Sequence, residues 1–131
     1  PFGLSREKPA EAGEVQAYLG EELAAVPHRG VVRNEVYVRC SHEGYTKGTA
    51  LREIARRIGV TAAQTLAAGD HLNDLPMLSL DHARYLVTPA NGIEAVKEVI
   101  RRQAGYISPL SHGSGVADGL RHCLRISRGE V

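Results

Sequence analysis

The sequence lacks several of the patterns that identify common classes of protein. Its 131 residues contain no tryptophan, one methionine and two cysteines, Cys40 and Cys123, which form no C-x-x-C pair. Free thiols in a reducing compartment are therefore expected, and we predict a cytoplasmic protein. The six histidines include no H-E-x-x-H arrangement, which argues against a zinc site. No apolar run approaches the roughly 20 residues that a membrane-spanning helix needs.

The chain also lacks an excess of charge of either sign. Its net charge is +1, so it has no electrostatic footprint for nucleic acid or for an anionic membrane, and neither is expected as a partner. Arginines cluster at 52–57 and 101–102, but they alternate with apolar residues at helical spacing, as on the solvated faces of amphipathic helices. Apolar residues make up 43% of the chain, as in a globular domain.

The first forty residues predict a helix followed by a hairpin. Apolar residues recur at three- and four-residue spacing over 9–26, which indicates a helix, and Pro9 suits its first turn. Two short β-branched segments, HRGVVR and VYVRC, then read as strands, with Asn34-Glu35 as the turn between them.

The pattern changes after residue 46. Residues 47–58 predict an amphipathic helix, and short apolar strands then alternate with helical segments to the end of the chain. Such alternation implies an α/β fold, a Rossmann-like parallel sheet with helices on both faces. We therefore expect a domain boundary near 41–46, with residues 1–42 in one domain and 43–131 in another.

The stretch GDHLNDLPML, residues 69–78, carries the strongest chemical signal. Asp70 and Asp74 follow a predicted strand, and two carboxylates ~5 Å apart repel by roughly 3 kcal/mol at an effective dielectric of about 20. A Mg²⁺ ion would offset this repulsion, since it binds carboxylates, water and phosphate oxygens. The alternative is a plain turn, with Asp70 stabilising the turn and Asn73 or Asp74 capping a short helix. Lys47 begins a helix, where the helix dipole disfavours a cation unless an anion is held there too.

Together, YTKGTAL and the later LAAGDHLNDLPML resemble the haloacid dehalogenase superfamily, and within it the Cof-type phosphatases with an α/β cap. Lys47 matches the third motif of that family, and Gly69-Asp70 with Asn73-Asp74 matches the fourth. The segments VTPANGIEAVKEVI and HGSGVADGLRHCL extend the resemblance. A receiver domain fits less well, because its acidic pair precedes its lysine, and HGSG is too short for a nucleotide-binding fingerprint.

The resemblance implies a fold, a reaction and a role for each residue. Residues 43–131 would be the C-terminal half of the core domain, and residues 1–42 the αββ end of the cap. An aspartate would attack a phosphate monoester, and water would hydrolyse the aspartyl-phosphate. Asp70 would bind Mg²⁺, and Asp74 would bind it through water or hold Lys47. Asn73 would fix the loop or contact the phosphoryl group, and Lys47 would neutralise charge on nucleophile and phosphate.

The sequence departs from the family at its first motif, the D-x-D-x-T that supplies the nucleophile. No D-x-D occurs in the 131 residues. We therefore expect the C-terminal portion of a phosphatase of small metabolites such as sugar phosphates, inactive by itself. The missing half, or a second copy of the chain, would cover an apolar sheet edge. The alternative is a non-catalytic half-domain that binds Mg²⁺ or phosphate or pairs with another chain.

Overall fold

The computed structural model describes residues 2–131, which form two compact units that divide between Thr46 and Lys47. No helix in this range is long and apolar enough to cross a membrane. The elements in chain order are β1 (Phe2–Ser5), α1 (Pro9–Leu23), β2 (Arg29–Asn34), β3 (Tyr37–His42), α2 (Lys47–Ile58), a 3-10 turn (Ala62–Gln64), β4 (Leu66–Ala68), a 3-10 helix (Leu72–Met77), β5 (Tyr85–Thr88), α3 (Glu94–Arg102), β6 (Tyr106–Ile107) and α4 (His112–Ser127).

The N-terminal unit is an antiparallel sheet of three strands in the order β1-β3-β2, with α1 packed on β2 and β3. The predicted helix and hairpin are present, although α1 ends at Leu23 rather than at residue 26. Strand β1 was not predicted, because its four residues, FGLS, are too few to establish a period, and all four are exposed in the structure. Its ladder with β3, in which Phe2 lies opposite Cys40, is a long-range contact that local sequence does not signal.

The hairpin turn lies one residue later than the sequence indicated. Asn34 pairs with Tyr37 as the last rung of the ladder, so Glu35 and Val36 form the turn. Glu35 adopts the left-handed conformation, with φ of 50°. This register places Val38 and Cys40 on the buried face, and a slip by one residue would expose both.

The C-terminal unit confirms the predicted α/β fold. Its sheet has the order β4-β5-β6 with parallel pairing throughout. On the central strand, Leu86 belongs to the core cluster with Val96 and Ile100 of α3, whereas Val87 lies against Gly119 of α4. Because successive strand residues face opposite sides, α3 and α4 cover opposite faces of the sheet.

The short helix after β4 differs from its predicted form. It is a 3-10 helix that begins at Leu72, with His71 as its N-terminal cap, so neither Asn73 nor Asp74 is the cap. Asp74 instead occupies the third helical position, where its carboxylate accepts the N–H groups of Asp70 and His71. A carboxylate at this position satisfies backbone donors from inside the helix, which moves the helix start toward the N-terminus.

Candidate functional site

A cavity of about 380 Å³ opens where β4 and β5 end, and its wall includes Ala68, the last residue of β4, and Pro89, which follows β5. The carboxyl ends of parallel strands are the usual place for a ligand in an open α/β sheet. The polar and glycine residues that line the cavity are Lys47, Gly69, Asp70, Asp74, His112 and Gly113.

Lys47 is the first residue of α2 and donates a hydrogen bond from Nζ to Oδ1 of Asp74. The helix comes close to the 3-10 helix at the next residue, Gly48, where an added Cβ would lie 2.1 Å from the carbonyl oxygen of Pro76. A glycine is therefore required for this approach. The tight packing of the two helices brings the lysine to the carboxylate.

Asp74 is held in place from two sides. It is 4% exposed, and its Oδ2 accepts the backbone N–H of Asp70 at 2.8 Å and that of His71 at 3.1 Å. Burial alone would raise the pKa of Asp74, but the hydrogen bonds from Lys47 and from the two N–H groups outweigh burial and hold the pKa below its usual value. Asp74 is therefore ionised at neutral pH, with both of its oxygens engaged.

Asp70 occupies the rim of the cavity and contacts the loop that follows β5. Its Oδ2 accepts a hydrogen bond from Nδ2 of Asn91 at 3.1 Å, and its backbone carbonyl accepts the N–H of Ile93 at 3.0 Å. Both carboxylates line the cavity, but Asp74 is buried and enclosed by donors, whereas Asp70 is only partly buried.

The donor set fits part of a Mg²⁺ site. Within residues 2–131 no group of three or more histidine, cysteine, aspartate or glutamate side chains is placed to hold a metal ion. Mg²⁺ is commonly bound through one or two carboxylates together with water and substrate phosphate. Asp70 can supply one such carboxylate, and both oxygens of Asp74 accept hydrogen bonds, from Lys47 and from backbone N–H groups.

The structure brings Lys47, Asp70 and Asp74 to one cavity, while Asn73 is partly buried in the 3-10 helix and is not among the described residues that line it. Two residues here, Asn91 and His112, were not predicted from the sequence. The available signal was their position, because both follow strands of the same parallel sheet and such segments converge at one edge.

Similar proteins identify the family of the chain. The model of the haloacid dehalogenase-like hydrolase family matches residues 5–120. A phosphoglycolate phosphatase of Methanothrix thermoacetophila is 29% identical over 85 residues, which cover 65% of this chain and 36% of the relative. A 5-amino-6-(5-phospho-D-ribitylamino)uracil phosphatase of Bacillus subtilis is 34% identical over 79 residues, covering 60% of this chain and 29% of the relative.

Among solved structures, a sugar phosphatase of subclass IIB of the superfamily aligns with a TM-score of 0.66 at 26% identity, over 81% of this chain and 39% of that one. The chain spans about a third of the length of the curated relatives that it matches. The family model nevertheless covers most of the chain. The chain therefore belongs to the haloacid dehalogenase-like hydrolase family.

Proposed function

We propose that the whole protein is a Mg²⁺-dependent phosphatase that hydrolyses phosphate monoesters of small metabolites, such as sugar phosphates. The observation that carries this proposal is the convergence of a lysine and an aspartate, Lys47 and Asp70, on one cavity at the carboxyl edge of a parallel sheet. The similar proteins support this proposal. They include phosphatases named for phosphoglycolate, for a phosphoribitylamino compound and for sugar phosphates.

We assign a role to each residue of the candidate site, as the family resemblance implies. Lys47 would neutralise charge on the nucleophile and the phosphoryl group, and Asp74 would hold the lysine there or bind Mg²⁺ through water. Asp70 would hold Mg²⁺, which when bound stabilises the charge that spreads over the phosphoryl oxygens. Asn73 would fix the loop between the two aspartates. The attacking aspartate, which would form the aspartyl-phosphate, would come from a part of the protein outside these residues, since they contain no D-x-D.

The two units would have different roles: the C-terminal unit would take part in catalysis, and the N-terminal unit would help to select the substrate. We propose that residues 43–131 are the C-terminal half of the core domain, and that residues 1–42 are the end of a cap domain. In the structure the units divide slightly later, after Thr46. The fold of the N-terminal unit, a helix on an antiparallel sheet, is compatible with such a cap.

The sheet of the C-terminal unit leaves a surface for further structure. Within residues 2–131 strand β4 pairs only with β5, and Leu120 and Leu124 of α4 are 46% and 44% exposed. We propose that the remainder of the protein, or a second copy, covers this apolar edge. We also propose a cytoplasmic location, which the two free thiols, Cys40 and Cys123, support.

The test is to express the full-length protein and assay a panel of phosphate monoesters, including phosphoglycolate and sugar phosphates, with Mg²⁺ and with EDTA. We expect Mg²⁺-dependent release of phosphate and a loss of turnover on the order of 10²–10³-fold in Asp70→Asn. The control is Asp81→Asn, which changes an exposed aspartate outside the cavity and should stay within about twofold of wild type.

Two results would contradict the proposal in different ways. Near-normal turnover in Asp70→Asn would show that Asp70 is not a site residue, although the protein would still be a phosphatase. A wild-type protein that releases no phosphate from any ester in the panel would favour the non-catalytic alternative, a module that binds Mg²⁺ or a phosphorylated ligand.

A further inference from the structure

We propose that Asn91 is a positioning residue that holds the carboxylate of Asp70 and the first residue of α4 in fixed geometry across the cavity. The proposal rests on the function proposed above, since it concerns the residue expected to hold Mg²⁺. Asn91 lies in the loop after β5 and makes two side-chain hydrogen bonds. Its Nδ2 donates to Asp70 Oδ2 at 3.1 Å, and its Oδ1 accepts the N–H of His112 at 2.6 Å.

The chemistry of the two partners requires an amide at this position. The peptide N–H of His112 can only donate, so an acceptor must face it, and a carboxylate such as that of Asp70 accepts, so a donor suits it. The asparagine side chain presents one group of each kind, on opposite arms of a single planar unit. These partners therefore fix the orientation of the Asn91 amide.

The hydrogen bond from His112 to Asn91 stabilises a backbone conformation of His112 that residues other than glycine rarely adopt. His112 has φ of 53°, in the left-handed region, and lines the cavity. Residues held in this region cluster at functional sites, where surrounding contacts maintain them. The Oδ1 of Asn91 supplies such a contact, and the same side chain thus sets two parts of the cavity wall.

The hydrogen bond from Asn91 to Asp70 orients the carboxylate of Asp70 and does not hold its backbone. The backbone carbonyl of Asp70 is held separately, by the N–H of Ile93 at 3.0 Å. Truncating Asn91, whose side chain is exposed, would therefore free the carboxylate to rotate while the loop keeps its path. Mutation of a group that hydrogen-bonds to a metal ligand and orients it typically lowers metal affinity by 10- to 100-fold.

The first experiment measures Mg²⁺ binding by calorimetry in the full-length protein carrying Asn91→Ala. We expect the Kd for Mg²⁺ to rise about tenfold, the half-saturating Mg²⁺ for turnover to rise in parallel, and kcat at saturating Mg²⁺ to stay within about threefold of wild type. The matched control is Gln103→Ala. Its amide also bridges two groups, accepting from the N–H of Leu80 and donating to the carbonyl of Leu78, outside the cavity.

Gln103→Ala should lower the melting temperature and leave the Kd for Mg²⁺ within about twofold of wild type, as expected for a structural contact. Mg²⁺ affinity in Asn91→Ala equal to that of wild type would overturn the proposed hold on Asp70. An equal loss of Mg²⁺ affinity in both variants would also overturn it, because the loss would then reflect general destabilisation.

A second readout does not depend on Mg²⁺ or on turnover. In protein labelled with ¹⁵N-histidine, Asn91→Ala should shift the amide signal of His112 upfield and speed its hydrogen exchange. Asn91→Asp keeps an acceptor for that N–H but removes the donor to Asp70, so the His112 signal should move less than in Asn91→Ala. An unchanged His112 signal in Asn91→Ala would overturn the contact with α4. If the wild-type protein binds no Mg²⁺ and releases no phosphate, the proposed function fails, and this signal still decides whether Asn91 holds the helix.

Discussion

Replacing Lys47 with methionine tests whether the lysine charge keeps the buried carboxylate of Asp74 ionised. Methionine retains most of the apolar stem of lysine and removes the ammonium group. In the structure Asp74 is 4% exposed and accepts hydrogen bonds from Lys47 and from the N–H groups of Asp70 and His71. The variant therefore leaves a buried carboxylate with two of its three donors.

The expected loss of unfolding free energy follows from the exposure of the pair. A hydrogen bond to a charged group contributes about 1.5–3 kcal/mol. The Lys47 side chain is 48% exposed, so solvent screens its charge and lowers this contribution. We expect Lys47→Met to cost about 1–2 kcal/mol at pH 7.

The cost should depend on pH in a defined direction. The pKa of Asp74 is lowered in the folded protein, because donors outweigh burial, so ionised Asp74 contributes stability above its unfolded pKa. That contribution is lost as pH falls through the folded pKa. Without Lys47 the folded carboxylate takes up a proton at higher pH than in wild type. The difference between variant and wild type should therefore shrink as the pH is lowered from about 7 toward 3.

Urea unfolding followed by far-ultraviolet circular dichroism at both pH values measures the two differences. Lys97→Met is the matched control, since Nζ of Lys97 donates to the backbone carbonyl of Ala90, which does not titrate. Its cost should change less with pH than that of Lys47→Met, because Lys97 is only the weakest of the groups that lower the pKa of exposed Glu94. A cost of Lys47→Met that stays constant or grows on acidification would refute the assigned role of Lys47.

Two further outcomes are expected. Gly48→Ala should destabilise the protein by about 1–3 kcal/mol in thermal unfolding, because its Cβ would lie 2.1 Å from the carbonyl oxygen of Pro76. Gly113→Ala is the control and should be nearly neutral, because its Cβ would meet no atom within 4 Å beyond its chain neighbours and the backbone of its own helix. Glu53 should titrate with a pKa of about 2 in ¹³C NMR, because two arginines donate to it, Arg56 most strongly. Arg56→Ala should raise that pKa, and an unshifted titration would contradict the ion pairs.

Much of the fold was predictable because it depends on local pattern. Apolar spacing predicted α2, at residues 47–58, and the alternation of short strands and helices predicted the parallel sheet. The residues of GDHLNDLPML and Lys47 stood out because charge at a strand end or at a helix start opposes local preference. Such conflicts are typical of functional sites.

The predictions that missed depended on contacts between distant parts of the chain. The exposed strand β1 forms only as a partner of β3, and the turn at Glu35 follows from the register that buries Val38 and Cys40. The 3-10 helix begins before Asn73 because the side chain of Asp74 reaches back to the preceding backbone.

The sequence by itself determined the order of the elements from α1 onward, the family resemblance and the residues able to bind a phosphate and a cation, because these depend on periodicity and residue type. Only the tertiary structure decided the contacts and the exposure of each of those residues. It enclosed Asp74 with Lys47 and backbone donors, left Asp70 on the cavity, and brought Asn91 between Asp70 and His112. The physical reason is that a parallel sheet gathers the ends of distant strands at one edge.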